Sequence, residues 1–481
     1  MTLWIKEDII KTLSPIVKES HLPDECTSIT GVSINSRTLV PGELFVAIEG
    51  EVTDGHSYVA QALERGASLV IVDHLKAQKM QNVLAGRPHL MVIDTLKALE
   101  LLGNEARGRS AATIIGVTGS VGKTSVRHAL GFLLGAQKKT NTSQKSYNNH
   151  WGVPLSLANF EQDAAYGVFE MGMNASGEIR RLTIQVRPHV ALITTIGMAH
   201  MGRLGSVEAI ANAKAEIFAG LDRQNGVAVL NGDSPCFDLL LKRAHEAQVA
   251  HVVTFGRAPQ WDVHLKSHAV LAEGQQIELT AFGKDYAIHL GFKGDHWVSN
   301  TLGIFAALHA AGADLSQAAN DIKNLTLIEG RGMEIKIPLS SGGTVTVIDD
   351  SYNANPTSMA AGIAVLAGSE GHKIAVLGDM LELGHESKAL HEAVLEHLVK
   401  AGVDQLYVCG PMMHHLHKIA SASLSSYWAA DAEQLSQKVV SQIKGGDTIL
   451  IKGSNSMKMV RVLEAIQFMN AHGKQKEVTL C

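Results

Sequence analysis

The stretch "GVTGSVGKTSVRHAL", residues 116–130, decides the fold class of this chain. It follows an apolar run, "ATIIGVTG" (112–119), and its apolar residues then recur at helical spacing from Val126 to Leu134. A strand that turns through glycine into a helix is the setting in which backbone N–H groups and the helix dipole bind a phosphate group. We therefore expect a phosphate-binding loop at residues 119–124, inside an α/β domain.

This loop differs from the common G-x-x-x-x-G-K-[ST] pattern because Val117 stands where the first glycine belongs. We interpret it as a shorter loop that binds ATP; the alternative is a glycine-rich turn with a chance G-K-T. Lys123 would neutralise phosphate charge, and the Thr124 hydroxyl would ligate Mg²⁺. The predicted nucleotide-binding residues of the loop are Gly119, Ser120, Val121, Gly122, Lys123, Thr124 and Ser125.

Strands alternate with helices along the rest of the chain, which predicts parallel sheets covered on both faces. We expect three domains: a small α/β unit over residues 1–86, a central P-loop parallel-sheet domain over 87–327, and a Rossmann-like domain over 328–481. Residues 250–292 alternate more strongly in polarity and predict added antiparallel strands. The apolar runs expected to be strands fall within 41–50, 68–73, 112–119, 166–172, 190–197, 226–233, 344–350, 373–379, 405–410 and 447–453. The expected helices include 58–67, 359–368 and 387–402.

Composition narrows the class of partner. The chain has 481 residues and a net charge of −5, with no block of lysine and arginine, which argues against nucleic acid or an anionic membrane as a partner. No apolar run approaches the roughly 18 residues of a membrane span, and the N-terminus does not resemble a signal peptide. The four cysteines, Cys26, Cys236, Cys409 and Cys481, form no C-x-x-C pair, which fits a reducing compartment. We expect a cytoplasmic monomer that acts on small molecules.

Three residues far from the loop in sequence are candidates for the same site. Glu170 ends the predicted strand "YGVFEMG", where side chains at the carboxyl end of a parallel sheet face the ligand crevice. His200 follows the next predicted strand, and Lys214 lies in a helical run, "AIANAKAEIF". An acid and a histidine can ligate Mg²⁺. From the residues alone, a loop histidine and a surface lysine remain open as alternatives for His200 and Lys214.

The short loop T-G-x-x-G-K-T resembles that of the Mur ligase family, whose members join amino acids to peptidoglycan precursors; folylpolyglutamate synthetases share it. The resemblance implies two Mg²⁺ sites, with Thr124 at one and with Glu170 and His200 at the second. It also implies that Lys214 is carbamylated by CO₂ and serves as a further metal ligand. Lys123, His200 and Lys214 are then the expected catalytic residues.

The resemblance extends over most of the chain. "GFKGDHWVSNTLGIFAAL" (291–308) is similar to a family element in which Asn300 would contact adenine, although Trp297 stands where many members have Asn. "EGRGMEI" (329–335) is similar to the family's linker, and implies that Arg331 reaches the γ-phosphate. "VIDDSYNANPTSM" (347–359) is similar to the segment that binds ribose, which points to Asp350.

Within the family, the pattern D-D-S-Y-N-A-N-P (349–356) and the segments "VLGDMLELG" (376–384) and "KSYNNHWGVPLSL" (145–157) resemble members that add D-alanyl-D-alanine to UDP-N-acetylmuramoyl-tripeptide. Residues 33–58 resemble a uridine-nucleotide module, although Asn35 stands where an acid is common. The implied substrate-binding residues are Ser36, Arg37, Asn148, Asn149, Asn353 and Asn355.

The implied reaction uses ATP to form an amide bond. A substrate carboxylate attacks the γ-phosphate to give an acyl phosphate and ADP, and the amine of the dipeptide then displaces phosphate. Catalysis of this kind depends on positioning and charge stabilisation, and closure of the last domain would exclude water. Two alternatives stay open: a folylpolyglutamate-type ligase, and a module that binds ATP without catalysis.

Overall fold

A computed structural model describes residues 2–23, 28–50, 52–143, 146–340 and 342–477. Three α/β bodies follow one another along the chain, and each is built on its own sheet. The predicted three-part α/β architecture is confirmed. The thiols of Cys236 and Cys409 are buried and free; Cys26 and Cys481 lie outside the described residues.

The first body contains a five-stranded sheet in the order β2-β7-β6-β5-β4, in which β2 is antiparallel and the other pairs are parallel. Its strands are β1 Trp4–Ile5, β2 Val17–His21, β3 Ser28–Ile29, β4 Val32–Ser33, β5 Leu44–Val46, β6 Leu69–Asp73 and β7 His89–Val92; β1 and β3 form a separate pair. Its helices are α1 Lys6–Leu13, α2 Val59–Glu64, α3 His74–Ala77, α4 Gln81–Leu84 and α5 Thr95–Gly108, with 3₁₀ turns at Gly55–Tyr58 and Gln78–Met80.

The central body contains a nine-stranded sheet in the order β16-β15-β14-β13-β12-β11-β8-β10-β9. Its strands are β8 Thr113–Thr118, β9 Thr140–Thr142, β10 Tyr166–Glu170, β11 Val190–Ile193, β12 Val227–Asn231, β13 His251–Gly256, β14 Val263–Val270, β15 Gln275–Ala281 and β16 Lys284–Leu290. Its helices are α6 Lys123–Gly135, α7 Gly152–Ala158, α8 Glu178–Val186, α9 Met201–Leu204, α10 Val207–Ala215, α11 Phe237–Glu246, α12 His296–Ala310 and α13 Leu315–Asp321, with 3₁₀ turns at Glu216–Gly220 and Ile322–Asn324. The strands β14, β15 and β16 pair antiparallel, as predicted for residues 250–292.

The third body contains a six-stranded sheet in the order β17-β18-β22-β19-β20-β21, parallel except for the edge strand β17. Its strands are β17 Met333–Pro338, β18 Thr344–Asp350, β19 Lys373–Gly378, β20 Gln405–Cys409, β21 Ser425–Ala429 and β22 Thr448–Lys452. Its helices are α14 Pro356–Ala367, α15 Ser387–Glu392, α16 Val394–Lys400, α17 Met413–Ala420, α18 Ala432–Val440 and α19 Val460–Glu477, with 3₁₀ turns at Gly384–Glu386 and Asn455–Met457. The strands β17 and β21 were not predicted, and the single helix predicted over 387–402 is divided at Ala393.

The register of the central sheet determines where the site lies. Glu170 pairs with Val117 across β10 and β8, and Ile193 pairs with Thr118 across β11 and β8. The carboxyl ends of these parallel strands therefore lie at one edge, where ligands of open α/β sheets bind. Val117 is fully buried within β8, so the position that lacks the usual glycine belongs to the strand and not to the loop.

The first and central bodies share apolar packing. Leu155 and Ala158 of α7 belong to the core that lies under the first sheet, and Trp4 Nε1 donates a 2.8 Å hydrogen bond to the Ala158 carbonyl. The domain divisions at residues 86 and 327 stay predictions. Strand β7 begins at His89, after the first of these divisions, and pairs within the first sheet. Among the residues that the structure describes, no helix combines the length and the apolar character needed to cross a membrane.

Candidate active site

The phosphate loop is a four-residue turn between β8, which ends at Thr118, and α6, which begins at Lys123. Gly119 has a φ of 150° and Gly122 a φ of 84°, in the region that favours glycine. A Cβ at Gly119 would lie 1.9 Å from Thr194 Oγ1, and a Cβ at Gly122 would lie 2.7 Å from Asn300 Oδ1. Both glycines of the shorter loop are therefore required by the backbone and by its neighbours.

Hydrogen bonds with the segment that follows β11 hold the loop in shape. Thr194 Oγ1 donates to the Val121 carbonyl at 2.6 Å, and Ser120 N donates to the Thr195 carbonyl at 2.9 Å. Lys123 Nζ donates to the Gly119 carbonyl at 2.7 Å, which folds the ammonium back over the loop. Removal from water lowers the pKa of Lys123, and the positive charge of Arg331 lowers it further, against the opposing effect of Glu170. A phosphate at this loop would meet both cations.

Glu170 lies at the end of β10, as predicted, and only 1% of its surface is exposed. Its Oε2 accepts a 2.9 Å hydrogen bond from the Thr124 hydroxyl, and its Oε1 accepts a 2.7 Å hydrogen bond from Asn148 Nδ2. The Nε of Arg127 is 4.0 Å from the same carboxylate. The acid is thus surrounded by polar partners beside the first turn of α6.

Lys214 is buried, with 1% of its surface exposed, so the surface-lysine alternative is wrong. The helix α10 turns it inward beside Lys123 and Glu170. Burial lowers the pKa of Lys214 well below its ordinary value, and the Lys123 charge adds to this effect while Glu170 opposes it. In the described part of the chain, Lys214 forms no ion pair within 4.0 Å.

His200 lies in a loop, as expected, and has a left-handed φ of 64° at the residue before α9. It lines a cavity between the central and third bodies, and its Nδ1 lies 2.6 Å from Glu382 Oε2 in the third body. The hydrogen bond with His200 lowers the pKa of Glu382, despite partial burial. The predicted metal-binding role of His200 stays a prediction.

The third body contributes cations and a carboxylate to the same cavity. The Arg331 guanidinium donates to the Thr124 hydroxyl at 3.2 Å and lies 4.0 Å above the Tyr352 ring. Asp350 ends β18 and accepts a 2.6 Å hydrogen bond from Lys452 Nζ at the end of the neighbouring strand β22. The ring and the buried lysine hold Arg331 and Asp350 in fixed positions.

A cavity of about 470 Å³ between the central and third bodies brings most of the predicted residues together. Gly119 and Lys214 are not among the described residues that line this cavity. The Gly119 carbonyl accepts a hydrogen bond from Lys123 Nζ, and Lys214 lies close enough to Lys123 for that charge to affect its pKa. The predicted residues that line it are Ser120, Val121, Gly122, Lys123, Thr124, Ser125, Asn148, Asn149, Glu170, His200, Asn300, Arg331, Asp350, Asn353 and Asn355.

Ser36 and Arg37 lie elsewhere, in a smaller cavity of about 180 Å³ that Tyr58 and Trp151 also line. The Ser36 hydroxyl donates to Gln61 Oε1 at 2.7 Å. The segment 148–151 joins the two sites, because its first two residues line the larger cavity and Trp151 lines the smaller one.

Several predicted substrate residues also have local roles. Asn149 Oδ1 accepts from Gly152 N at 2.9 Å, and Asn355 caps α14 by accepting from Ser358 N at 2.9 Å. Asn353 Oδ1 accepts from Ala354 N at 2.9 Å. The side-chain oxygens of these residues thus shape the loops in which they lie. Their contacts with substrate stay predictions.

Sequence reasoning missed Lys452, Arg127 and Glu382. Lys452 ends a predicted strand, so the rule that selected Glu170 would have found it. Arg127 follows Lys123 by one helical turn, the spacing that places two residues on one face. Glu382 lies in the segment 376–384 that carried the resemblance, but nothing in the sequence indicated that its side chain would contact His200, which is far away in sequence and in another body.

The donors at this site suit Mg²⁺ only together with phosphate oxygens and water. Among the described residues, no group of three or more His, Cys, Asp or Glu side chains could hold a metal ion. Mg²⁺ commonly takes one or two carboxylates plus substrate phosphates and keeps several waters. Glu170 with the Thr124 hydroxyl at 2.9 Å provides that kind of partial donor set.

Family models match three successive parts of the chain. Residues 28–109 match the Mur ligase family catalytic domain, residues 117–308 the Mur ligase middle domain, and residues 334–455 the Mur ligase glutamate ligase domain.

Similar curated proteins share one name, UDP-N-acetylmuramoyl-tripeptide–D-alanyl-D-alanine ligase. The Bacillus subtilis protein is 34% identical over 95% of this chain and 97% of its own length. The Escherichia coli protein is 32% identical over 92% of this chain and 94% of its own. The Rickettsia prowazekii protein is 30% identical over 91% and 95%, respectively.

Solved structures agree. MurF from Acinetobacter baumannii is 28% identical, with a TM-score of 0.82 over 97% of this chain and 99% of that one. MurF ligase from Thermotoga maritima, solved in complex with ADP, is 27% identical, with a TM-score of 0.76 over 94% and 100%. A folylpolyglutamate synthase from Mycobacterium tuberculosis is 19% identical, with a TM-score of 0.61 over 81% of this chain, and shares the fold.

Proposed function

The chain belongs to the Mur ligase family, and on that premise we propose that it joins D-alanyl-D-alanine to UDP-N-acetylmuramoyl-tripeptide in peptidoglycan precursor synthesis. It is an ATP-dependent ligase, and its products are UDP-N-acetylmuramoyl-pentapeptide, ADP and phosphate. The observation that carries the proposal is the cavity in which Lys123 and Glu170 of the central body meet Arg331 and Asp350 of the third body.

The residues of this cavity divide the work of phosphoryl transfer. The loop amides, Lys123 and Arg331 would hold the β- and γ-phosphates, because cations and N–H groups stabilise the charge that develops there. Asn300 would contact adenine and Asp350 ribose. The substrate carboxylate attacks the γ-phosphorus, an O–P bond forms while the bond to ADP breaks, and the dipeptide amine then displaces phosphate from the acyl carbon.

Thr124, Glu170, His200 and a modified Lys214 would be the protein ligands of two Mg²⁺ ions, whose remaining ligands would be phosphate oxygens and water. Bound Mg²⁺ would neutralise charge on the transferring phosphoryl group. Burial lowers the pKa of Lys214, which favours its neutral amine over the ammonium, and the nitrogen of that amine would attack the carbon of CO₂. An N–C bond forms as one C=O π bond of CO₂ opens, one proton leaves the nitrogen for water, and the carbamate anion takes the place of the uncharged amine beside Lys123. Carbamylation would give a role to Lys214, which is buried and has no ion pair among the residues that the structure describes.

The two cavities suit the two ends of a long substrate. The UDP-sugar would lie at Ser36 and Arg37, and its peptide would pass segment 148–151 towards the phosphate loop, where Asn148 and Asn149 line the wall. Asn353 and Asn355 would contact the peptide or the dipeptide from the third body. One chain provides every residue named, so we propose that the enzyme acts as a monomer. We place it in the cytoplasm, because its substrate ATP is found there.

A phosphate-release assay tests the proposal. With ATP and UDP-N-acetylmuramoyl-tripeptide, we expect phosphate release to require D-alanyl-D-alanine and to match pentapeptide formed by mass spectrometry. Turnover with a folate and glutamate, or ATP hydrolysis that ignores the dipeptide, would contradict it. The role of Lys214 is tested separately: Lys214→Ala should lose activity, and CO₂ removal should lower the activity of the unchanged enzyme, with bicarbonate restoring it.

A further inference from the structure

Two loops from different bodies meet beside the nucleotide cavity and form a contact that the reaction scheme does not use. We call it the clasp, and it consists of His200, Gly202, Glu382 and Gly384. His200 Nδ1 lies 2.6 Å from Glu382 Oε2, and Gly202 N donates a 2.8 Å hydrogen bond to the Glu382 carbonyl. Arg203 adds a longer ion pair, 3.6 Å from Glu382 Oε1.

The backbone of the clasp is closely fitted. A Cβ on Gly202 would lie 2.5 Å from Gly384 N, so the two loops approach as closely as glycine allows. His200 and Glu382 both have a φ of 64°, a conformation that side chains with a Cβ rarely adopt. Such conformations persist where the surroundings hold them, and they concentrate at functional sites. Both residues take part in the contact between the two loops.

The chemistry of the contact sets the state of the histidine. A carboxylate only accepts hydrogen bonds, so Nδ1 of a neutral His200 carries the proton and Nε2 is left as the nitrogen with a free lone pair. His200 lines the cavity, whereas Glu382 is absent from the described residues that line it. A carboxylate that holds the far nitrogen of a metal-binding histidine fixes its tautomer and ring orientation.

We propose that Glu382 is a positioning residue: it reaches from the third body to orient His200, so that Nε2 is presented to the nucleotide cavity only when the third body is docked. The inference rests on the proposed function for the role of His200 towards Mg²⁺. It assigns to Glu382 no contact with substrate or nucleotide.

Hydrogen bonds attach the loop that carries Glu382 to the third body. Leu381 N donates to the Ser454 hydroxyl at 2.9 Å, and Ser454 N donates to the Asp379 carbonyl at 3.0 Å. Asp379 and Ser454 are buried. Displacement of the third sheet would therefore withdraw Glu382 from His200, and the clasp would link activation of ATP to the presence of the body that delivers the amine.

Glu382→Ala is the test, with Glu386→Ala as the matched control, because Glu386 is an exposed acid four residues further along the same segment. Histidine side-chain ¹⁵N NMR on the metal-free, nucleotide-free protein reports the tautomer, and a His200→Gln sample identifies the signal. We expect a fixed Nδ1–H tautomer in the unchanged protein and in Glu386→Ala, and a mixture in Glu382→Ala. We also expect the Mg²⁺ concentration for half-maximal ligation to rise about tenfold or more in Glu382→Ala alone.

Glu382→Gln is the second variant in case the alanine variant is poorly folded. Its amide can accept from or donate to Nδ1, so we again expect a mixture of tautomers. Glu382→Asp should recover part of the lost function. If Glu382→Ala keeps both the tautomer and the Mg²⁺ requirement of Glu386→Ala, the proposal is overturned. A fall in kcat with both readouts unchanged would also overturn it, because that is the result of a merely structural role. The tautomer is measured without substrate, so failure of the proposed reaction and failure of the clasp are told apart.

Discussion

The hydroxyl of Thr124 donates a 2.9 Å hydrogen bond to Glu170 and accepts a 3.2 Å hydrogen bond from Arg331. One hydroxyl thus connects the phosphate-loop helix, the end of the neighbouring strand and the third body. All three groups would face the γ-phosphate in the proposed reaction, so the hydroxyl is the point at which the two halves of the nucleotide site meet.

Replacement of Thr124 by valine removes this hydroxyl while keeping the shape of the side chain. We expect kcat/KM for ATP to fall roughly 10²–10³-fold, the usual effect of losing one group that stabilises developing charge. Thr124→Ser keeps the hydroxyl and should stay within roughly tenfold of the unchanged enzyme. Steady-state kinetics with varied ATP check this; equal losses in the two variants would contradict it.

Gly122→Ala should weaken ATP binding by about tenfold or more. The change forces a Cβ to within 2.7 Å of Asn300 Oδ1 at a φ of 84°, and the left-handed backbone alone costs about 1–2 kcal/mol with alanine. Gly135 is the control, since a Cβ there meets nothing within 4 Å. Gly135→Ala should keep full affinity and raise the melting temperature slightly, because alanine favours helix. Isothermal titration with ADP and thermal unfolding provide the readings.

Lys452→Met leaves the Asp350 carboxylate without the partner that now lies 2.6 Å away. We expect the free energy of unfolding to fall by about 1–3 kcal/mol, because the carboxylate loses its charged partner but is itself partly exposed to water. Adding Asp350→Asn should restore most of that stability and leave KM for ATP raised, since the ribose contact is gone. The exposed pair Arg461–Glu433 is the control: Arg461→Ala should cost less than about 1 kcal/mol. Urea denaturation separates these cases, and a double variant as unstable as the single one would refute the pairing.

Lys214→Met should stabilise the protein at pH 7 and inactivate it. The pKa of Lys214 is depressed by burial, so the unfolded chain binds a proton at pH 7 that the folded chain holds poorly. The cost is therefore greatest below the depressed pKa, declines as pH rises through that value towards 10.5, and disappears above 10.5. In CO₂-free buffer we expect a gain of about 1–4 kcal/mol at pH 7, the range seen when buried charges give way to apolar side chains.

The control for this change is Lys138→Met, at an exposed position of the same body. It should change stability by less than about 0.5 kcal/mol at any pH. Urea midpoints at pH 7 and at pH 11 would reveal the pattern. A destabilised Lys214→Met protein at pH 7 would show that the lysine is compensated in the fold.

Local patterns were enough to predict the phosphate loop and Glu170. Strand, glycine and helix follow one another within 15 residues, and an acid at the end of a parallel strand can be located without knowledge of packing. Strand β21, "SSYWA", has no apolar run, and β17 alternates with charged residues at a sheet edge, so neither carried the signal of a buried strand.

Contacts between bodies could not be predicted from local sequence patterns. His200 and Glu382 are 182 residues apart, and Lys452 and Asp350 are 102 apart. Hydrophobic periodicity specifies which face of an element is buried, and does not specify which charge of another body will lie opposite. The burial of Lys214 is of this kind: a helix with alanine on several faces, "AIANAKAEIF", does not show which side turns inward.

The helix α7 has a consequence for how the protein can be divided. Since Leu155 and Ala158 complete the apolar interior beneath the first sheet, a fragment that begins after residue 111 would bare that surface to water and tend to aggregate. A workable dissection would separate the chain near residue 328 and keep everything before it as a single piece. The same restriction applies in evolution. The amino-terminal module cannot be exchanged freely, because a helix of the central body completes its apolar core.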